Sequence, residues 1–265
     1  MNSAKLQSYL RSYVIRYNNP AFIEGDPISV PHRFQSLQDR EITGFWTAML
    51  SWGQRKTIIN KAIELFELMD NAPYDFIVNH EEKDRLRFAE FKHRTFQYTD
   101  TLYFLEFLQQ YYRRHDSLEE AFVRHIRRED PQIKDALTGF HTSFFSLESA
   151  PQRTRKHVAT PVRGSTCKRL NMFLRWMVRS DSAGVDFGMW KKIHPAWLMI
   201  PLDVHVERTA RQLGMLTVKS RNWSTVEEIT RFCREIFPLD PAVCDYALFG
   251  LSIQKNLGQP CEGLP

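Results

Sequence analysis

The chain has 265 residues, of which 43% are hydrophobic, 25% are charged and 13% are aromatic. This composition is typical of a globular protein that buries a sizeable core, and it excludes a disordered chain. Lysine and arginine (36) outnumber aspartate and glutamate (31), for a net charge of +5. That excess suits a polyanionic partner such as nucleic acid, without establishing one.

Targeting and metal-binding patterns are missing from the sequence. No stretch approaches the roughly 18 apolar residues of a membrane span, and residues 1–19 lack the apolar block of a signal peptide. The four cysteines are widely spaced, with no CxxC pair and no histidine at zinc-ligand spacing. We therefore expect a soluble, cytoplasmic monomer with reduced thiols, no metal, no cofactor and no membrane partner.

The hydrophobic pattern predicts helices throughout and no good strand. Residues 4–17, Gln35 to Trp52 and Thr57 to Met69 are the first three predicted helices, with a break at Gly53. Capping patterns predict four later helix starts, at Ser117–Glu120, Asp130-Pro131, Ser224 with Glu227, and Asp240-Pro241. About ten helices are expected, which is an all-α fold.

A basic connection, Ser149 to Thr166, interrupts this helical pattern. It contains Pro151, Pro161 and Gly164 among several basic residues, which are Arg153, Arg155, Lys156, His157 and Arg163. Two interpretations are open: an ordinary exposed loop, or a segment that contacts nucleic-acid phosphates.

The following segment, Lys168 to Arg179, has a helical period. Leu170, Phe173, Leu174 and Met177 fall on one face, and Lys168, Asn171, Arg175 and Arg179 on the other. The pattern predicts an exposed basic stripe with a lysine at the start of the helix. Taken alone, such a stripe is more often a solvated face than a catalytic one.

A second motif, Pro201 to Gly214, places Asp203 at the start of a helix that ends at Gly214. The ordinary interpretation is an N-cap carboxylate, worth about 1 kcal/mol. An aspartate at a helix N-terminus also suits the stabilisation of a developing cation.

Leu-Asp-Val-His-Val (202–206), Arg208 and Leu213-Gly214 resemble the Val-Asp-Thr-His-Val…Arg…Leu-Gly segment of the helix-hairpin-helix DNA glycosylases. That superfamily includes endonuclease III and the 8-oxoguanine glycosylases. Met-Leu-Ser-Trp-Gly-Gln (49–54) is similar to the superfamily's Leu-Leu-Ser-x-Gln stretch. The resemblance covers roughly residues 35–255. The chain as a whole also resembles an uncharacterised bacterial family, a distant branch of the superfamily.

The resemblance implies an all-α protein of two helical lobes with the active site in a cleft between them. One lobe would be residues 35–165, and the other residues 1–34 plus 166–265. Asp203 matches the aspartate that supports the sugar's oxocarbenium character. Lys168 matches the lysine that attacks the sugar C1′ in members with lyase activity, and Gln54 the residue that fills the gap left by a flipped base. His205 and Arg208 are expected to support the fold.

The chain also departs from the superfamily pattern. The hairpin is reduced to Thr160–Gly164, Lys168 follows Gly164 by four positions, and Val204 replaces a threonine. Residues 180–199 lengthen the interval between Lys168 and Asp203, as in an archaeal 8-oxoguanine branch. The four-cysteine iron–sulfur motif of endonuclease III is absent, so no cluster is expected. We expect basic residues and one glycine to contact DNA in place of a full hairpin: Arg153, Arg155, Lys156, Arg163, Gly164, Arg169 and Arg175.

The sequence therefore predicts a base-excision glycosylase acting on double-stranded DNA with a damaged base or abasic site. A flipped base needs an aromatic pocket, for which Trp52, Trp190, Trp197 and Trp223 are candidates. The lysine must lose its proton, which partial burial beside Arg169 and Arg175 favours. If Lys168 keeps its proton, Asp203 can still activate a water molecule, which gives a monofunctional glycosylase without lyase activity. The alternatives are a non-catalytic DNA-binding protein that retains the fold, and a helical protein-interaction scaffold.

Overall fold

The computed structural model describes residues 3–256, and these are helical, as the sequence predicts. Pairing of β type within them is limited to one isolated bridge between His93 and Phe96. The chain divides into two compact units. We call Met1–Phe22 with Thr160–Pro265 the terminal unit, and Ile23–Ala159 the middle unit. The boundaries thus fall near residues 22 and 159, whereas the resemblance suggested 34 and 165.

The middle unit contains six α-helices, linked in places by short 3-10 turns. They are α2 Leu37–Leu50, α3 Arg55–Glu67, α4 Pro73–Asn79, α5 Tyr98–Tyr112, α6 Glu119–Val123 and α7 Ile133–Phe144. Helix α2 is buried on every side from Glu41 to Leu50. Phe45 of this helix packs against Phe104 of α5 and Phe144 of α7, and these two rings also pack edge-on against each other. Aromatic burial of this kind dominates the energetics of a core.

One buried carboxylate joins three elements of the middle unit. Glu41 accepts hydrogen bonds from the Tyr112 hydroxyl (2.8 Å), the Ser117 hydroxyl and the Leu118 backbone N–H (3.0 Å). A buried carboxylate is stable only when donors replace its water. Ser117 is therefore committed to Glu41, and its hydroxyl oxygen accepts the Glu119 N–H at the start of α6.

The terminal unit contains the other five α-helices of the described chain: α1 Ser3–Tyr17, α8 Lys168–Val178, α9 Val204–Gln212, α10 Trp223–Ile236 and α11 Cys244–Asn256. Helix α11 packs against both α1 and α9. The contact with α1 is close at Gly250, where an added Cβ would lie 2.2 Å from the Tyr17 ring. Glycine is required there because no larger residue leaves room for the ring.

Some helix starts differ from their predicted positions. Helix α7 begins at Ile133 rather than Pro131, because Asp130 accepts from the Gln132 side chain instead of capping. Helix α10 begins at Trp223, and its capping box is formed by Asn222 and Thr225 rather than by Ser224 and Glu227. The last helix starts with a 3-10 turn, Pro241–Val243.

Within the described chain, no single helix is long and apolar enough to cross a membrane. One pair of helices, Trp223–Ile236 with Pro241–Gln254, meets the length and composition criteria together, with a bend of 102° between them. Cys167, Cys233 and Cys244 are buried free thiols, and Cys261 lies outside the described residues.

Candidate functional site

Asp203 is the N-cap of α9, as the sequence predicts. Its Oδ1 atom accepts hydrogen bonds from the backbone N–H groups of His205 (2.8 Å) and Val206 (2.9 Å). Both bonds use the same oxygen, and the side chain is partly exposed. The positive end of the helix dipole and two N–H donors hold the carboxylate in one orientation. His205 and Arg208, which the resemblance implies support the fold, are exposed and lie outside the buried core.

Lys168 is the first residue of α8 and is partly buried. The residue before it, Cys167, has a left-handed backbone (φ 49°), which is costly for a residue with a Cβ. Cys167 is buried, and its N–H donates to the Ser165 hydroxyl at 3.1 Å. This backbone bend sets the direction in which α8, and hence Lys168, starts.

Thr160–Gly164, the segment predicted to be a reduced hairpin, forms a turn just before α8 whose last three residues are exposed. Thr160 caps a 3-10 turn, Pro161–Arg163, whose C-cap Gly164 has φ 73° and donates its N–H to the Pro161 carbonyl at 2.9 Å. Glycine adopts this left-handed conformation without strain. Val162, Arg163 and Gly164 are all exposed. The turn therefore presents one cationic side chain, that of Arg163, five positions before Lys168.

The opposite face of α8 is not the exposed basic stripe that the pattern predicts. Asn171, Arg175 and Arg179 are only 1%, 3% and 2% exposed. Arg175 pairs with Asp245 and, through Nε, with Asp186 Oδ1 at 3.3 Å. Because this guanidinium is buried and ion-paired, the prediction that Arg175 contacts DNA is wrong.

Arg179 completes a buried ionic network in the terminal unit. Its guanidinium bonds Asp186 at 2.9 Å, Asp240 at 2.8 Å and Asp181. The Tyr246 hydroxyl donates to Asp186 Oδ2 at 2.8 Å, and both guanidinium groups lie over its ring. Two arginines thus pair with four aspartates. Asp186 and Asp245 are buried and have the partners that buried charges require, whereas Asp181 and Asp240 keep some contact with solvent.

Asp245, at the start of α11, connects this network to the two predicted catalytic residues. Burial raises the pKa of its carboxyl to about 6, against the opposing effect of Arg175. The charges of Asp203 and Lys168 also act on the same carboxyl, one raising and one lowering its pKa. Lys168 and Asp203, 35 positions apart in sequence, therefore lie within electrostatic range of one buried group. Sequence reasoning missed Asp245, although a carboxylate inside an apolar run is a recognisable signal.

Asn171 of α8 has a buried side-chain oxygen without a hydrogen-bond partner, on the same side of the helix as Lys168. Its Nδ2 donates to the Thr166 carbonyl at 3.1 Å, but its buried Oδ1 has no hydrogen-bond partner. Orphaned buried acceptors are rare in folded proteins and often mark functional positions. Residues at positions i and i+3 of a helix share a face, so Asn171 and Lys168 lie on the same side.

The basic connection is shared between the two units. Its first part is a 3-10 turn, Gln152–Lys156, in the middle unit. There Arg153 bonds the Gln97 side chain at 2.8 Å and the Thr95 carbonyl at 3.0 Å, and the Arg155 guanidinium lies 4.9 Å from the centre of the Phe145 ring. Lys156 is exposed. The two arginines thus already serve structural contacts.

Two other predicted DNA-contacting residues differ in exposure. Gln54 is exposed at the N-cap of α3, next to Gly53, whose φ of 107° and close approach to the Arg94 guanidinium require glycine. Arg169 is partly buried, and burial lowers its pKa to about 10. Gln54 is the better placed of the two to reach a ligand.

The four tryptophans proposed for a base pocket divide into two classes. Trp190 packs edge-on against Phe173 and is buried, as is Trp223, so these two belong to the core. Trp52 and Trp197 are partly exposed. Trp52 stacks on His157 with 5.6 Å between ring centroids. Of the four tryptophans, only Trp52 in the middle unit and Trp197 in the terminal unit have ring surface that a ligand could contact.

Comparison with known proteins gives one match. The family model of DUF2400, a protein family of unknown function, matches residues 26–254. No curated protein matches the chain. No solved structure matches it either. Among residues 3–256, no group of three histidine, cysteine, aspartate or glutamate side chains is arranged to hold a metal ion. Because the matched segment spans most of its length, the chain belongs to the DUF2400 family.

Proposed function

We propose that this protein is a DNA glycosylase that excises a damaged base from double-stranded DNA, with Lys168 as nucleophile and Asp203 as the stabilising carboxylate. One observation supports the proposal: the charges of Asp203 and Lys168 both influence the pKa of the buried Asp245 carboxyl, so each residue lies within electrostatic range of that group. An amine and a carboxylate are the groups used by a glycosylase that also has a Schiff-base lyase step.

The proposed chemistry assigns each group a separate task. A base inside a duplex is not accessible, so the nucleotide is flipped out before reaction. The sugar gains positive charge as the base departs, and the oriented Asp203 carboxylate stabilises that charge. The neutral Lys168 amine then forms a bond to C1′. The C1′–O4′ bond breaks, its electron pair and a proton from the nitrogen go to O4′, and the result is the Schiff base that borohydride reduces.

The exposed turn at Thr160–Gly164 supports DNA binding beside this chemistry. Val162, Arg163 and Gly164 of this turn are exposed, and Gly164 has no side chain that would block an approaching phosphate. Contacts of this type go to phosphates and position the protein without reading sequence. In the middle unit, the exposed Gln54 is the residue proposed to fill the gap left by the flipped base.

Borohydride trapping tests the proposal. Duplexes with an abasic site or 8-oxoguanine are incubated with wild type, Lys168→Gln, Asp203→Asn and a control, Lys219→Gln, which removes an exposed lysine of the same unit. We expect a covalent adduct with wild type and the control, none with Lys168→Gln and little with Asp203→Asn.

The other outcomes discriminate between the remaining interpretations. An adduct that persists in Lys168→Gln shows that another amine is the nucleophile. DNA binding without any adduct rejects the Schiff-base step and favours a water-activating or purely binding protein. Absence of DNA binding even at low salt rejects the nucleic-acid function, because phosphate contacts are strongest there.

A further inference from the structure

We propose that the surface formed by Trp52, Gly53 and Arg94 in the middle unit binds one unpaired nucleotide of a DNA strand. The base would stack on the indole, and the phosphate would bind the guanidinium. This inference rests on the nucleic-acid binding of the proposed function, but it requires none of the proposed catalytic residues. The glycosylase motif assigns a role to the neighbouring Gln54 and none to Gly53 or Arg94.

The first support is the way the Trp52 ring is held. It stacks on His157, with 5.6 Å between ring centroids, and it meets the His93 ring edge-on at 4.9 Å. Both histidines are buried, and His157 Nε2 lies 3.4 Å from the buried Asp100 carboxylate. The indole itself is partly exposed. A ring that is braced from inside the unit and keeps accessible surface loses little freedom when a second ring stacks on it.

The second support is the position of the Arg94 guanidinium. His93 Nε2 lies 3.3 Å from the Trp52 carbonyl oxygen. In the next residue of each segment, Arg94 Nη1 lies 2.6 Å from the point that a Cβ of Gly53 would occupy. The cation therefore lies against the residue that directly follows Trp52. Arg94 is exposed, and its side chain has no hydrogen-bond or ion-pair partner in the described part of the chain. A guanidinium in this state has all its donors available for a phosphate.

The third support is the backbone on both sides of this contact. Arg94 has a left-handed backbone (φ 55°), which residues with a Cβ adopt rarely and at a cost. The turn is fixed by two hydrogen bonds of 2.9 Å between the backbones of His93 and Phe96. Gly53 has φ 107°, which glycine alone adopts readily. Strained backbone of this kind is concentrated at positions that hold ligands.

The fourth support is the charge of the two segments that form the surface. Residues 51–60 and 91–97 contain no aspartate or glutamate but four lysines or arginines, which are Arg55, Lys56, Lys92 and Arg94. Arg55 and Lys56 stand in the first turn of α3, where the helix dipole disfavours cations, so they do not serve the stability of that helix. A DNA strand supplies an anion and an aromatic base at every step, whereas a peptide does so only in particular sequences.

The affinities for a perfect duplex and for the same duplex with one bulged thymidine test the site. We expect the wild type to bind the bulged duplex about 5- to 150-fold more tightly, which is the effect of one base stacked on an aromatic ring. Trp52→Leu should remove this preference, and Trp52→Phe, which keeps a ring, should retain most of it. The matched control is Tyr74→Leu, which removes another partly exposed aromatic ring of the middle unit and should leave the preference unchanged.

The salt dependence of binding separates the two proposed contacts. Arg94→Gln should reduce the slope of log affinity against log salt by about one, because one phosphate contact is lost. Trp52→Leu should leave the slope unchanged, because a stacked base displaces no counterions. General structural damage would not produce this difference between the two variants. Arg114→Gln, which removes an exposed arginine of the same unit, is expected to retain both the wild-type slope and the preference for the bulge.

Photocrosslinking of the wild type needs no variant to fold. When 5-iodouracil replaces the bulged thymine, light couples it to an aromatic side chain on which it stacks, and peptide mapping identifies that residue. We expect the crosslink at Trp52. A crosslink at a different residue, or equal affinity of the wild type for the two duplexes, overturns the inference.

The outcomes separate this inference from the proposed function. A bulge preference that depends on Trp52, in a protein that forms no borohydride adduct, supports the inference and rejects the glycosylase. An adduct at Lys168, in a protein whose bulge preference survives Trp52→Leu, supports the glycosylase and overturns the inference. If no DNA is bound even at low salt, both are overturned, and the exposed indole is left as a contact for a protein partner.

Discussion

Arg179→Met tests the physical account of the buried network in the terminal unit. Arg179 is 2% exposed and is the bonded cation of Asp181, Asp186 and Asp240. Methionine fills a similar volume but leaves Asp181 and Asp240 without their bonded arginine, whereas Asp186 keeps Arg175. Removing one partner of a buried ion pair costs about 3–5 kcal/mol. We expect a loss of this size in the free energy of unfolding at neutral pH.

The pH dependence of that loss is a second, independent expectation. Burial already raises the pKa of Asp240 above its unfolded value even with Arg179 present. A carboxyl with a raised pKa contributes its stability below the unfolded pKa and loses it as pH rises through the folded pKa. Without Arg179 the carboxyls favour protonation more strongly, so the deficit of the variant should shrink as pH falls from neutral towards the acidic range.

Urea unfolding at neutral and mildly acidic pH measures both effects. The matched control is Arg221→Met, which removes an arginine that is 49% exposed and pairs with Glu207 at 3.7 Å in the same unit. Exposed pairs are worth about 0–1 kcal/mol, so this change should be small at either pH. If Arg179→Met lowers the free energy of unfolding no more than the control does, or if the loss does not change with pH, the buried network does not stabilise the fold through the charge of Arg179.

Three further perturbations have expected outcomes. Gly250→Ala should destabilise the protein by about 1–3 kcal/mol, because the added Cβ would overlap the Tyr17 ring. In thermal unfolding, combining it with Tyr17→Ala should recover part of this loss. No recovery in the double variant would mean that the contact with Tyr17 is not the cause. Asp203→Ala should lose about 1 kcal/mol of stability, because the N-cap of α9 is lost. Asp203→Asn should keep the cap, and hence the stability, but lose adduct formation. If the two variants lose the same stability in unfolding assays, the cap geometry is contradicted. Arg163→Ala should reduce the slope of log affinity against log salt for duplex DNA by about one; an unchanged slope would exclude Arg163 from the phosphate contacts.

The sequence was informative where local chemistry decides the structure. Asp203 was predicted as an N-cap because a carboxylate before a helix satisfies free N–H groups in any context. The apolar face of α8 was also predicted correctly, since Leu170, Phe173 and Met177 are all buried. Periodicity located most helices within a few residues of their observed bounds, because an amphipathic pattern reports burial directly.

The errors arose where distant parts of the chain decide the structure. Arg175 and Arg179 were predicted to be exposed to solvent, although both are buried. Periodicity could not indicate this, because their partners Asp186, Asp240 and Asp245 lie further along the chain, after irregular turns. A helical wheel shows which residues share a face, but not what covers that face. Recognising Asp245 required the fold to bring α11 against α8. The assignment of Lys168 and Asp203 to one site was predicted only from a resemblance, since the two residues are 35 positions apart in the chain.

The central claim is that the amine of Lys168 bonds to the sugar of a damaged or abasic nucleotide. Its most direct test is peptide mapping of the wild-type protein after borohydride reduction on an abasic duplex. We predict that the deoxyribose remnant is found on the peptide that contains Lys168, at that residue. A remnant on a different lysine, or an unmodified protein under conditions in which the DNA is bound, would contradict the account.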